Sequence, residues 1–217
     1  MHKNYMTIRL YYTHNNLELA TKVLSTIYDE NKELYKIEVE ETIFHPKGGG
    51  QDQDIGFIND YPIIDVEMDG AKFYYYLTNE LEVGQTVKFR IDSATRTLNS
   101  RRHSLGHVIG YIIEKKMWIP IKASHYPDDC KVVFKRTERS LDDIEISDLT
   151  REVENILSED YEKSIYYQEQ KRVVSFGGKV TYMCGGTHVD KLSEIGDFSI
   201  TKTKIKKDNL TVSYSIN

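Results

Sequence analysis

Two short motifs restrict this chain more than anything else in it: His103-Ser-Leu-Gly-His107 and, about 80 residues further on, Cys184-Gly-Gly-Thr-His188. On a helix, residues at i and i+4 share a face with Cβ atoms about 6 Å apart, so the two imidazoles of the first motif can grip one ion. In the second, a pair of glycines permits a tight loop in which thiolate and imidazole converge. Each motif alone has a plainer explanation. Paired histidines on a helix arise by chance, and a buried cysteine often serves as a small hydrophobe. Together they offer three imidazoles and one thiolate, a tetrahedral donor set suited to zinc. With a single thiolate such a centre keeps a net positive charge and remains Lewis-acidic enough to polarise a carbonyl.

The rhythm of the sequence changes at Asp92. Before it, short β-branched and aromatic runs (Tyr5–Tyr12, Tyr35–Phe44, Ile55–Ile58, Ile63–Met68, Phe73–Leu77 and Thr86–Ile91) alternate with turn signals, among them the hairpin dipeptide Asp69-Gly70. Leu17–Tyr28 fits either a helical face or, in its second half, a strand. Strands at this spacing predict a small β-barrel. After it, Ala94, Leu98, Leu105, Val108/Ile109 and Ile112/Ile113 predict a long helix, capped by Asp92 or Ser93 and ending near Lys116. A second helix is predicted from Ser147 or Asp148 through Leu157, and strands at Lys131–Lys135, Val173–Phe176, Phe198–Thr203 and Leu210–Ser215. No linker-like stretch separates the halves. The expectation is an α+β protein in which a barrel domain, 1–92, packs on an α/β domain, 93–217, with an antiparallel sheet and the long metal-bearing helix.

With 39% hydrophobic residues in 217, the chain has the material for a buried core, which excludes a disordered or collagen-like protein. No run approaches the roughly 20 apolar residues of a membrane helix, and the start has no secretory pattern. Cys130 and Cys184 make no disulfide framework. A soluble cytoplasmic protein is expected. The net charge of −5 is unevenly spread. Residues 88–122 carry 8 basic and 2 acidic side chains, whereas 128–169 carry 6 basic and 13 acidic; Lys202, Lys204, Lys206 and Lys207 crowd near the end. A polyanion could dock on such local basic surfaces, although lysine runs are also ordinary solvated faces.

A third motif, His45-Pro-Lys-Gly-Gly-Gly-Gln51-Asp-Gln-Asp-Ile-Gly56, exposes successive backbone amides that suit a phosphate or ribose. Equally, it is a flexible hairpin. It matches neither the Walker spacing nor G-x-G-x-x-G, so no nucleotide cofactor and no ATP dependence are expected.

In order and spacing, H-x3-H, then CGGTHV (Cys184–Val189), then Glu194-Ile-Gly196 resemble the editing domain of alanyl-tRNA synthetase. The HPKGGGQ element resembles the glycine-rich segment of the barrel beside that domain. With no aminoacylation domain ahead of them, these parts resemble the free-standing alanyl-tRNA editing proteins, the medium-length class of the AlaX family, over nearly the whole chain. The resemblance implies a trans-editing hydrolase of translation fidelity, cleaving the ester of mischarged Ser-tRNA(Ala), with Gly-tRNA(Ala) as a further candidate. It implies one zinc per chain on His103, His107, Cys184 and His188, and a substrate pocket faced by Gly48, Gly49, Gly50 and Gln51. The residue selecting serine would be Ser124, with His125 as the alternative. The acceptor end of tRNA(Ala) would meet Arg96, Arg101, Arg102, Lys179 and Lys202–Lys207. Asp52 and Ser193 depart from the family pattern. A competing expectation is a non-catalytic tRNA-binding protein around a structural zinc. A small-substrate metallohydrolase is disfavoured because no H-E-x-x-H is present.

Overall fold

A computed structural model describes residues 6–217, so Tyr5 of the expected first strand falls outside the described residues. The fold mixes two helices with mostly antiparallel sheets. It divides into two units. One takes the described residues up to Lys47 with Gln53–Arg96, and the other takes Gly48–Asp52 with Thr97–Asn217. The glycine-rich pentapeptide, grouped on sequence with residues 1–92, thus counts with the second unit.

The first unit contains β1 (Ile8–Arg9), β2 (Glu18–Asp29), β3 (Leu34–Val39), β4 (Glu41–Thr42), β5 (Gly56–Ile58), β6 (Tyr61–Pro62), β7 (Asp65–Asp69), β8 (Lys72–Leu77) and β9 (Thr86–Ile91). Seven of these form one sheet in the order β6-β5-β9-β2-β3-β8-β7. Its organiser is β2, whose first half pairs with β9 and whose second half pairs with β3, across a register break between Val23 and Ser25. Such a break bends and twists the strand, and the sheet coils into a half-barrel. The barrel predicted from strand spacing is therefore open, with β6 and β7 at opposite ends of the order. Leu17–Tyr28 resolves as strand: residues 19, 21 and 23 turn inward while 18, 20 and 22 stay exposed, a period of two. Leu10–Tyr12 form a 3-10 turn rather than strand. Ile37, Val39, Phe44, Phe73, Tyr75 and Phe89 build the core.

In the second unit, α1 (Ser93–Lys115), whose first turn counts with the first unit, is followed by β10 (Ile119–Tyr126), β11 (Asp129–Lys135), α2 (Ile146–Ser158), β12 (Lys163–Gln168), β13 (Lys171–Phe176), β14 (Val180–Met183), β15 (Phe198–Lys206) and β16 (Asn209–Ile216). Asp92 caps α1 by accepting the Thr95 N–H at 2.7 Å. The antiparallel sheets run β10-β11-β16-β15 and β12-β13-β14. Leu105, Val108, Ile109, Ile112 and Ile113, spaced at three and four along α1, share one buried core with Val132, Phe134, Leu210 and Val212 of the larger sheet. Full burial of each such side chain stabilises by roughly 1.5–3 kcal/mol, which fixes the face α1 turns inward. Strands β10 and β12 were not expected, and β14 is the strand-like run directly ahead of Cys184. In β10, Pro120 and a register break before Lys122 hide the alternation that reveals a strand.

Candidate metal centre and its cavity

Because α1 is anchored by its apolar face, His103 and His107 sit one turn apart beside the loop that leaves β14. That loop delivers Cys184 and His188, and one ligand atom from each of the four residues lies within 4.8 Å of the others. Cys184 Sγ is 3.3 Å from both His103 Nε2 and His188 Nε2. Bonds of about 2.0–2.3 Å from a tetrahedral zinc to nitrogen and sulfur require ligand separations of about 3.3–3.8 Å, so the donor set fits the ion in number and chemistry, with Cys184 at a matching distance from two of the imidazoles.

Second contacts orient the four side chains. Gln51 is fully buried, its Oε1 lying 2.8 Å from His103 Nδ1 and accepting the Thr187 N–H at 3.0 Å, while its Nε2 donates to Thr187 Oγ1 at 2.9 Å. Ser104 Oγ lies 3.1 Å from His188 Nδ1. Arg172 donates to the carbonyls of Cys184 and Gly186 at 2.8 and 3.0 Å, clamping the loop. Gly186 is required sterically, since a Cβ there would fall 2.1 Å from His103 Cε1. His107 Nδ1 is buried with no hydrogen-bond partner among the described residues.

Burial also sets protonation. Desolvation of the half-buried His107 ring, with His125 and Arg172 nearby, pushes it down to about 3, and desolvation holds His188 well below its ordinary value. Both are neutral at physiological pH, the form that ligates. Burial raises the Cys184 thiol, opposed by the Gly186 N–H 3.3 Å from its sulfur and by Arg172. A metal here would displace that proton.

A cavity of about 250 Å³ adjoins the four residues, lined among others by Gly49, Gly106, Ala123, His125, Tyr182 and Cys184. Of the glycine-rich segment expected to face the pocket, Gly49 lines it. Gly50 instead packs on β10, accepting the His125 N–H at 2.8 Å, and Gln51 is turned into the ligand shell. Gly48 pairs with Gln51 across the turn.

Ser124 faces away, donating to Asp129 Oδ2 at 3.0 Å, because alternate residues of β10 take opposite faces and Ala123 and His125 claim the cavity side. His125 stacks on His103 with ring centroids 4.3 Å apart, and its Nδ1 lies 2.5 Å from the Tyr214 hydroxyl. Burial pushes His125 down to about 4. Gly106 makes its room: a Cβ there would meet His125 Cε1 at 2.4 Å.

The arginines expected at RNA are otherwise engaged. Arg96 is buried against Asp54. Arg101 donates to the Ile195 carbonyl at 2.6 Å and lies 3.4 Å from those of Asp197 and Asn217, holding the segment that contains Glu194-Ile-Gly196. Arg102 is half-buried beside Asn99, and neither it nor Arg101 lines the cavity. Lys179 contacts the Tyr161 hydroxyl. Sequence reasoning missed Ser104, Thr187, Arg172 and Tyr214. The first two are polar residues inside or beside the ligand motifs, which was a usable signal. The other two come from distant strands and carried none.

Residues 172–212 match the family described as the threonyl and alanyl tRNA synthetase second additional domain. The match takes in Cys184 and His188 and leaves out the helix bearing His103 and His107. The chain is 28% identical to an alanine–tRNA ligase of Nitrosopumilus maritimus, aligned over 94% of this chain and 25% of that protein. It is 30% identical to that of Caldivirga maquilingensis, over 76% of this chain and 22% of that protein. It is 29% identical to the alanyl-tRNA editing protein AlaX-L of Pyrococcus horikoshii, over 94% of this chain and 56% of that protein. The chain thus spans about a quarter of the curated ligases it matches, and its similarity to alanyl-tRNA editing proteins extends well beyond the motifs that first suggested it.

Proposed function

We propose that this AlaX-like chain is an alanyl-tRNA editing enzyme that hydrolyses the ester of mischarged Ser-tRNA(Ala), with Gly-tRNA(Ala) as a second substrate. The observation that carries the reading is the convergence of His103, His107, Cys184 and His188 beside a small glycine-lined cavity, in a chain similar to AlaX-L over nearly its whole length. Those four residues would hold zinc, which when bound supplies a positive centre able to polarise a carbonyl or orient the substrate. The chain's own contribution is positional. Gly49 adds no side chain to the cavity wall and Gly106 leaves room for the His125 ring, so a small aminoacyl group can enter beside His125, which supplies a polar wall.

The hydrogen bonds of Tyr214 define what His125 can read. Its hydroxyl donates to the Arg102 carbonyl at 3.1 Å, which can only accept, and this commits its single proton. His125 Nδ1 must then be the donor to Tyr214, leaving Nε2 with a lone pair. A lone pair accepts from a serine hydroxyl and gains nothing from the methyl of alanine. Such a bond is worth on the order of 1–3 kcal/mol, about 5- to 150-fold in discrimination. An aminoacylation pocket distinguishes serine from alanine poorly, which gives a second site its purpose.

The closed four-ligand set favours a second reading, a structural zinc in a non-catalytic tRNA-binding protein, because closed tetrahedra are usual at structural sites. One assay separates them: deacylation of serine-, glycine- and alanine-charged tRNA(Ala), with and without chelator. The editing reading expects turnover of Ser-tRNA(Ala) well above Ala-tRNA(Ala), lost with the metal. It also expects His125→Ala to shrink the serine preference while Ser124→Ala leaves it intact. Absence of turnover on all three would establish the structural reading instead.

A further inference from the structure

The larger sheet of the second unit has two unlike faces. Cross-strand partners share a face, so its rows can be read from the register. Ala123, His125, Val132, Phe134, Leu210, Val212 and Tyr214 point inward, toward core and cavity. The other face has the rows Ser124–Lys131–Ser213–Lys202, Lys122–Val133–Thr211–Lys204 and Ile119–Lys135–Asn209–Lys206. Six lysines therefore stand on one surface. Asp129 is the acid in this pattern, and it is engaged by Lys131 at 2.6 Å and by Ser124. Lys122, Lys135, Lys202, Lys204 and Lys206 are exposed and make no ion pair among the described residues.

Charge along the chain does not foretell this grouping. Lys131 and Lys135 belong to its most acidic stretch, and Lys122 lies some 80 residues from Lys202. Protection of a sheet edge accounts for lysines on β15, an edge strand, but not for those on β11, which is paired on both sides. Like charges on neighbouring rows repel unless a polyanion covers them. Alternate residues on a strand lie about 6.7 Å apart and neighbouring strands about 4.8 Å, so the lysines form a grid of compact point charges. Between them lie Ser213, Thr211 and Asn209, hydrogen-bonding groups suited to phosphate and ribose hydroxyls; the apolar residues of these rows are Ile119, exposed on the edge strand β10, and half-buried Val133.

We propose that this outer face is the RNA-docking surface of the protein, holding the sugar-phosphate backbone of the substrate tRNA. The inference deepens the editing reading and rests on it for the identity of the RNA. It moves the main backbone contacts from the buried or engaged arginines of α1 to lysines from three strands, β10, β11 and β15.

The test uses the full-length protein and two triple variants, Lys135→Glu/Lys204→Glu/Lys206→Glu and the same positions changed to Gln, each checked for unaltered melting and metal content. Uncharged tRNA binding is measured by fluorescence anisotropy across a salt series. Both variants should bind at least about 10-fold more weakly at low salt, the glutamates more so. The slope of log K against log salt should flatten by about one for each lysine lost. Hydrolysis of a seryl ester on a short 3′-terminal oligonucleotide should not change. Wild-type affinity and salt slope in both variants would overturn the proposal, as would a loss of binding to phosphatidylserine vesicles with tRNA binding intact. Because the readout is binding of uncharged RNA, it remains decisive even if the wild-type protein deacylates nothing.

Discussion

Each unit of the molecule buries a polar cluster, and the two are resolved in opposite ways. In the first, Asp54 accepts the His45 N–H at 2.6 Å and the Arg96 Nε–H at 2.9 Å, and Arg96 also donates to the Ile43 carbonyl at 2.6 Å. The charges are opposite and the carboxylate is spoken for, so the pair neutralises itself, with Arg96 Nη1 left buried and without a hydrogen-bond partner among the described residues. In the second, three imidazoles and a thiol crowd together, burial holds His107 and His188 neutral, and a cavity lies alongside. Nothing in that group neutralises anything else. A buried cluster whose charges pair within the chain is architecture, whereas one composed of lone-pair donors could hold a cation.

The contrast can be broken at its strongest point by Cys184→Ala. Metal content should fall from about one per chain to near zero and deacylation by more than the roughly 100-fold that outer contacts of a metal site can cost. Full activity without metal would remove the ion from the reaction. In the first unit, Asp54→Ala should act on stability alone. It strands the Arg96 guanidinium, an uncompensated buried charge costing about 3–5 kcal/mol, and calorimetry should record a lower Tm with metal content unchanged. If Asp54→Ala emptied the metal site instead, the two clusters would not be independent.

Gln51→Ala tests the layer between ligand and fold. Losing the partner of His103 and of the Thr187 loop should weaken metal affinity about 10- to 100-fold, measurable by chelator competition. The smallest effect is the most diagnostic of neutrality. His107 and His125 are lowered to about 3 and about 4, so between those values and about 6.5 the unfolded chain binds more protons than the folded one. Stability of the metal-stripped protein is then fully present above about pH 6.5 and declines as pH falls below it, by up to about 1.4 kcal/mol per pH unit for each histidine. Flat stability from pH 7 to 4.5 would show that these rings charge without cost.

How much of this was legible in advance differs by residue. The four candidate ligands stood out because H-x3-H on a helix and C-x3-H on a glycine loop each declare a local geometry, and the long helix declared its inward face by its spacing. The cavity wall was harder. Ser124 and His125 are adjacent, and which of them faces inward depends on the register of β10, whose Pro120 and irregular pairing obscure it. For the arginines, the charge is visible in sequence while their partners, Asp54 and the carbonyls after residue 194, are not.

The sequence by itself determined the donor chemistry, the helix that carries half of it and the alternating strands, because these depend on residue type and on spacing within a few positions. The tertiary structure alone decided that β2 bends the first sheet into an open half-barrel and that His125 rather than Ser124 lines the cavity. It also decided that lysines from three strands share one outer face. Those outcomes rest on register between segments far apart in the chain, where a shift of one residue exchanges the two faces of a strand.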